Sequence, residues 1–132
     1  MAVKQINPNI QVFGVEAETA PSMFNSIKAG KIRELSFCNT FADGIAVRKP
    51  GKLNFEIVKR YVDGIVTVSE EEMKSAIITL AEEAKIIAEG AGASSVAALL
   101  FKKFTTKFTK IVCVITGGNI DMSLFNGNHE IF

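Results

Sequence analysis

A strand sequence that leads directly into a capped helix constrains this chain more than any other feature. Residues 65–68 read Ile-Val-Thr-Val, a short β-branched run typical of buried strands. Ser69 follows, and Glu72 stands three residues later, which is the spacing of a capping box. Apolar residues then recur at helical spacing, at Met73, Ala76, Ile77, Leu80, Ala84 and Ile87. The sequence therefore predicts a strand, a tight turn and a helix, the building unit of an α/β fold.

Further strands and helices alternate along the chain. Apolar runs predict buried strands at residues 12–15 and 111–115, and weaker signals predict one at residues 44–47. Turn and capping residues predict helices over residues 21–29, 54–61 and 94–104, with residues 90–93 breaking the helix that follows Ser69. This order indicates one α/β domain with a mainly parallel sheet flanked by helices. In such sheets, ligands bind beyond the carboxyl ends of the strands.

Charge and hydropathy exclude several classes of partner. The formal net charge of +1 gives no electrostatic reason to expect nucleic acid. Residues 101–108 do interleave lysine with phenylalanine, but we interpret them as a helix end whose lysines complement the helix dipole. No apolar run reaches the roughly 18 residues that a membrane span requires. Residues 1–9 lack a signal-peptide segment, and Cys38 and Cys113 form no metal or disulfide motif, so we expect a cytoplasmic protein without membrane partners.

Two segments at predicted strand ends carry candidate chemistry. The sequence Thr-Gly-Gly-Asn at residues 116–119 would let a flat ligand or a phosphate approach the backbone, and the Thr116 hydroxyl could bond a ring nitrogen. A plain strand-to-helix turn explains the same four residues. Glu16 and the polar and carbonyl groups up to Ser22 could supply oxygen ligands to a hard cation, although a lone glutamate at a strand end is usually just exposed.

Taken in order, six short motifs resemble the threonine dehydratase and serine racemase family. They cover roughly residues 2–121 in the family's order and spacing. The motifs are Phe-Gly-Val-Glu at 13–16, Ala-Pro-Ser-Met at 20–23, Ala-Asp-Gly-Ile-Ala-Val at 42–47, Val-Asp-Gly-Ile-Val-Thr-Val-Ser-Glu at 62–70, Ala-Glu-Gly-Ala-Gly-Ala at 88–93 and Thr-Gly-Gly-Asn-Ile-Asp at 116–121.

The resemblance implies a fold type II enzyme that uses pyridoxal 5'-phosphate (PLP) and deaminates L-threonine to 2-oxobutanoate and ammonia, often with L-serine as a second substrate. It implies that Thr116 meets the cofactor's ring nitrogen, where the family most often has serine. It also implies that the pocket is lined by Gly44, Glu89, Gly117, Gly118 and Asn119. Family members belong to amino-acid metabolism, including isoleucine biosynthesis.

A cation site is implied as well, at Glu16, the Ala20 carbonyl and Ser22. Serine racemases have an aspartate where Ser22 stands, so the motif is closer to the dehydratase version. The charge of the cation and the racemase assignment are both left open by this departure.

The family's cofactor-binding lysine, its asparagine loop and its tetraglycine phosphate loop have no match in this sequence. We therefore expect residues 1–121 to be the C-terminal part of a dehydratase domain, followed by a short tail at 122–132, and we expect the chain alone to be inactive, with no catalytic residue of its own. The alternative is a non-catalytic module that keeps the fold for oligomerisation or metabolite binding. In either case, loss of neighbouring surface predicts a homo-oligomer.

Overall fold

The sheet contains two strands that run parallel. In a computed structural model, which describes residues 1–121, strand β1 spans Phe13–Ala17 and strand β2 spans Gly64–Val68. The register pairs Phe13 with Gly64 and continues to Ala17 with Val68. The strands predicted at residues 12–15 and 65–68 are confirmed, and their parallel pairing confirms the predicted α/β class. The tail at residues 122–132 lies outside the described residues.

Residues 1–121 contain five α-helices in addition to this sheet. Helix α1 spans Ala2–Ile6, α2 Ser22–Ala29, α3 Lys52–Tyr61, α4 Glu70–Thr79 and α5 Gly90–Leu100. A π-helical turn at Leu80–Ala84 extends α4, and a 3₁₀ turn at Asp43–Ile45 lies between α2 and α3. Among residues 1–121, none of these helices is long and apolar enough to cross a membrane.

The capping box predicted at the start of α4 is present in full. The Ser69 hydroxyl accepts the Glu72 N–H at 3.2 Å, and the Glu72 carboxylate accepts the Ser69 N–H at 2.8 Å. The other Glu72 oxygen lies 2.7 Å from the Lys103 ammonium, which also lies 3.5 Å from Glu18. These contacts raise the pKa of Lys103, and the hydrogen bond that its ammonium donates to Glu72 has the largest effect. The start of α4 is thereby connected to the chain that follows α5.

Small side chains let α5 pack closely against α4 and both strands. Its buried face consists of Gly90, Gly92, Ala93, Ser94, Ala97 and Ala98. The core that it contacts includes Ala17, Val68, Met73 and Ile77, all fully or almost fully buried. Because small side chains let a helix approach a sheet closely, the glycine, alanine and serine residues of α5 allow this helix to lie near both strands.

The basic and aromatic segment at residues 101–108 is part of the structural framework. Phe104 and Phe108 pack edge-on against Phe13 and against each other, with ring centroids 5.1–6.0 Å apart. Phe104 and Phe108 pack inward as predicted, and Lys103 is held by Glu72 and Glu18. The predicted helix end is wrong, because α5 ends at Leu100, its last turn contains no basic residue, and Phe101 is exposed.

Three predictions of secondary structure are wrong. Residues 44–47 form no strand, because the chain around Gly44 closes a 3₁₀ turn. Residues 111–115 are extended but lie beside α5 and not beside a strand: Ser95 donates to the Val114 carbonyl, and Cys113 to the Ser95 carbonyl. A new helix does open at residues 90–93 as predicted, but its bounds differ from 94–104, because residues 90–93 form its first turn and α5 ends at Leu100.

Candidate functional site

Residues from three separate segments meet at the N-terminus of α5. Gly44 lies in the 3₁₀ turn, Glu89 immediately precedes α5, and residues 116–119, which we call the glycine turn, follow the extended segment beside α5. Glu89 is half-buried, whereas Gly44 and the glycine turn are exposed. The structure therefore brings together the six residues that the resemblance assigns to the cofactor pocket: Gly44, Glu89 and the four residues of the glycine turn.

Glu89 is the residue that joins these segments. Its carboxylate accepts the Asn119 N–H at 3.1 Å, and its own N–H donates to the Gly117 carbonyl at 3.3 Å. It is also the N-cap residue of α5, but its side chain makes no capping hydrogen bond to that helix. The side chain is therefore directed to the glycine turn and not to its own helix.

Two glycines are needed because the Glu89 carboxylate occupies the adjacent space. Gly117 has a φ of 78°, and a Cβ built there would lie 2.5 Å from Glu89 Cδ. A Cβ at Gly44 would lie 2.9 Å from the Ala91 Cβ and 3.5 Å from Glu89 Oε1. Any side chain at either position would displace the carboxylate or the start of α5.

Backbone contacts bring the glycine turn against α5. A Cβ at Gly92 would collide with the Thr116 carbonyl oxygen and lie 3.0 Å from the Gly117 oxygen, and one at Gly118 would lie 2.8 Å from the Ile87 oxygen. Gly92 was not among the site residues expected from the sequence. The alternation of glycine and alanine at 90–93 was the available signal, since it marks a helix start that other backbone can approach.

The Thr116 hydroxyl is available to form a hydrogen bond with a ligand. Thr116 is exposed, and its side chain makes no hydrogen bond within the described residues. A hydroxyl can both donate and accept, so it suits a ring nitrogen whether or not that nitrogen carries a proton. The two glycines that follow it let the turn pack closely against Glu89 and Ile87, which leaves the hydroxyl on the exposed side. An exposed hydroxyl of this kind fits the pyridine nitrogen of PLP.

The second predicted group lies at the start of α2. The Glu16 carboxylate accepts backbone N–H bonds from Met23 at 2.9 Å and from Phe24 at 2.7 Å, so it satisfies donors in the first turn of α2. Burial raises the pKa of Glu16, and the two N–H bonds only partly oppose that effect. Glu16 is thus a half-buried carboxylate that serves a helix, and two lone-pair positions remain for another partner.

Ser22 carries an unsatisfied polar atom near this carboxylate. The residue is fully buried, and its Oγ has no hydrogen-bond partner within the described chain. Ser22 and Glu16 both line a cavity of about 130 Å³ that also contacts Pro50 and Asn54. The Ala20 carbonyl accepts the Ser22 N–H at 3.0 Å. Within residues 1–121 there is no cluster of three acidic, histidine or cysteine side chains that could hold a metal.

Comparison with known sequences identifies a family. Residues 1–117 match the family described as pyridoxal-phosphate dependent enzyme. The L-threonine ammonia-lyase of Thermotoga maritima is 49% identical over 126 residues, which cover 96% of this chain and 31% of that protein. The catabolic L-threonine dehydratase of Escherichia coli K12 is 44% identical over 125 residues, which cover 93% of this chain and 38% of that protein.

Solved structures give the same result for the fold. A threonine deaminase from T.th. superposes with a TM-score of 0.80 at 35% identity, covering 91% of this chain and 44% of that one. Maize serine racemase superposes with a TM-score of 0.87 at 32% identity, covering 94% and 39%. The chain therefore spans less than half the length of each of these relatives. It belongs to the pyridoxal-phosphate dependent enzyme family and has that family's fold type II α/β architecture.

Proposed function

We propose that residues 1–121 are the C-terminal part of the cofactor domain of a threonine ammonia-lyase, which converts L-threonine to 2-oxobutanoate and ammonia and also accepts L-serine. The convergence of Gly44, Glu89 and the glycine turn carries this proposal, because the six residues come from three distant segments and form one exposed rim. The sequence relatives named threonine ammonia-lyase and threonine dehydratase support the choice of substrate.

Each residue of the rim has a distinct task in this proposal. When bound, PLP supplies a conjugated ring that delocalises negative charge from the substrate's α-carbon. Thr116 would bind the ring nitrogen through its neutral hydroxyl, which does not require that nitrogen to be protonated. Gly44, Gly117 and Gly118 would let the 3₁₀ turn, the glycine turn and the start of α5 pack closely enough to form the rim, and Asn119 is held in place through its N–H.

The chain alone is proposed to be inactive. Covalent attachment of PLP needs a lysine amine, and within residues 1–121 no lysine side chain is hydrogen-bonded or ion-paired to Gly44, Glu89 or the glycine turn. We propose that polypeptide outside this chain would supply the lysine amine that holds the cofactor and acts as the base. PLP added to the chain alone should give no imine absorbance band.

Complementation tests the proposal directly. The chain is mixed with the part of the Thermotoga maritima enzyme that lies outside the matching 126 residues, and release of 2-oxobutanoate from L-threonine is measured. We expect activity from the mixture and none from either part. Thr116→Ala should reduce it, whereas Lys59→Ala, which changes an exposed position on α3, should not. An inactive mixture of two folded parts would contradict the proposal.

We propose in addition that Glu16, the Ala20 carbonyl and Ser22 bind a cation. The buried, unpartnered Ser22 Oγ beside the half-buried Glu16 carboxylate supports this site, since both groups lack a full set of partners. Calorimetric titration with K⁺ and with Mg²⁺ tests the site and the charge of its ion. Binding that persists in Glu16→Gln would place the ion elsewhere.

The second candidate is a non-catalytic module that oligomerises or binds a metabolite. Exposed apolar side chains favour it: Val112 is 89% exposed, Phe37 72% and Val114 67%. We propose that these exposed side chains cause self-association, whether the chain is part of an enzyme or a non-catalytic module, and sedimentation over a range of concentrations tests it.

A cytoplasmic location is also proposed, supported by two cysteines that remain free thiols.

A further inference from the structure

Glu89 makes contacts that a residue merely lining a pocket would not need. Both hydrogen bonds that join residues 116–119 to the chain before residue 116, within the described part, involve Glu89: its carboxylate accepts from Asn119, and its N–H donates to Gly117. The two bonds attach the peptide groups on both sides of Gly118 to one residue. The glycine turn is therefore fixed to the N-terminus of α5 through Glu89.

We propose that Glu89 is a positioning residue, whose carboxylate holds the glycine turn in shape and thereby sets where the Thr116 hydroxyl stands before any ligand arrives. This inference rests on the proposed function for the role of Thr116, but the Glu89 contacts stand without it. The bond to Asn119 is charge-assisted, and such bonds are about twice as strong as neutral ones.

Three further observations support this role. Gly117 has a left-handed φ of 78°. Because glycine adopts positive and negative φ about equally well, contacts from outside the turn must select this conformation. The Glu89 carboxylate lies against Gly117 where a side chain would otherwise be. Finally, Glu89 is too long for the usual N-cap bond and makes none, so its side chain is used for the glycine turn alone.

The same geometry shows which property of Glu89 this role requires. One carboxylate oxygen accepts the Asn119 N–H, and the other lies close to the Gly117 and Gly44 backbone. The bond to Asn119 needs an acceptor oxygen at this position, which an amide side chain of the same length also supplies. We therefore expect the neutral but isosteric glutamine to preserve most of the function of Glu89, whereas alanine should not.

Amide hydrogen exchange on the chain itself tests the inference without any cofactor. We compare the Asn119 N–H in wild type, Glu89→Gln and Glu89→Ala, with Glu56→Ala as control because Glu56 is exposed and makes no hydrogen bond or ion pair within residues 1–121. Exchange at Asn119 should be about tenfold or more faster in Glu89→Ala, intermediate in Glu89→Gln and unchanged in Glu56→Ala. Equal exchange in all four chains would overturn the proposal.

A second measurement separates positioning from a general structural role. In the complemented enzyme, Glu89→Ala should weaken PLP binding, followed by cofactor absorbance, and Glu89→Gln should restore most of it. Thermal unfolding of each chain shows whether the fold is intact. If complementation itself fails, the proposed function fails while the exchange result still decides the role of Glu89. An active Glu89→Ala enzyme with wild-type PLP affinity would overturn the positioning role.

Discussion

Replacing Gly92 with alanine separates the stability of α5 from the position of the candidate site. The added methyl group would collide with the Thr116 carbonyl oxygen, whereas the rest of α5 is undisturbed. We expect the helix to keep its place, because its inner face is buried against the strands and α4, and the exposed glycine turn to move away. The substitution should thus displace Thr116 in a chain that still folds.

The size of the stability change follows from two opposing effects. Alanine in a helix interior is favoured over glycine by about 1 kcal/mol. Inserting a methyl group into occupied space costs about 1–3 kcal/mol. We therefore expect the free energy of unfolding of Gly92→Ala to fall by about 0–2 kcal/mol, measured by urea unfolding followed by circular dichroism. The lower end applies if the glycine turn yields easily, since its residues are exposed.

Backbone amide chemical shifts of residues 116–119 report the displacement itself. Gly51→Ala is the matched control, because a Cβ there would meet Asn54 at 3.8 Å, an ordinary contact far from the glycine turn. We expect large shift changes at residues 116–119 in Gly92→Ala and none in Gly51→Ala. Unchanged shifts in Gly92→Ala, or a stability loss well above about 3 kcal/mol, would refute the reasoning.

Three other outcomes can be tested on the same chain. Ser69→Ala removes the side-chain acceptor of the capping box and should lower the free energy of unfolding by about 1 kcal/mol, seen as a lower urea midpoint. Burial raises the pKa of Glu16, so the folded state binds this proton more tightly than the unfolded state. The free energy of unfolding should therefore rise as pH falls from the raised pKa towards the ordinary carboxyl pKa. In Glu16→Gln this rise should be absent from a plot of the urea midpoint against pH. Burial also raises the pKa of Cys113, so its alkylation should be slow near neutral pH and accelerate only in more alkaline solution than for an unburied thiol; rapid labelling at neutral pH would contradict this.

Local sequence signals were sufficient wherever the structure is decided locally. The capping box at Ser69 depends only on residues within one helical turn, and it was predicted. The strands predicted at 12–15 and 65–68 were found because each apolar run has the other as its partner. The run at 111–115 has the same apolar composition as a strand, but no described strand lies beside it. A strand requires a hydrogen-bonded neighbour, which local composition cannot supply.

The candidate site shows the same division. Its six residues were found through resemblance, because a single glycine pair has many explanations, including a plain turn. The central position of Glu89 could not be inferred from sequence, since it depends on a contact with Asn119 that spans 30 residues. In the same way, the Glu16 carboxylate was expected to be exposed or bound to a cation, whereas its bonds to Met23 and Phe24 depend on how α2 packs.

The parallel pairing of β1 with β2 has a consequence for how the chain acquires its structure during synthesis. Asp63 contacts Val12 across 51 positions, so β1 cannot pair with β2 until β2 has been made. Closing a loop of that length costs about 3.5 kcal/mol of chain entropy, from the dependence (3/2)RT ln n. Because such distant contacts slow folding, the newly made first strand stays available to chaperones or to other nascent chains during this interval.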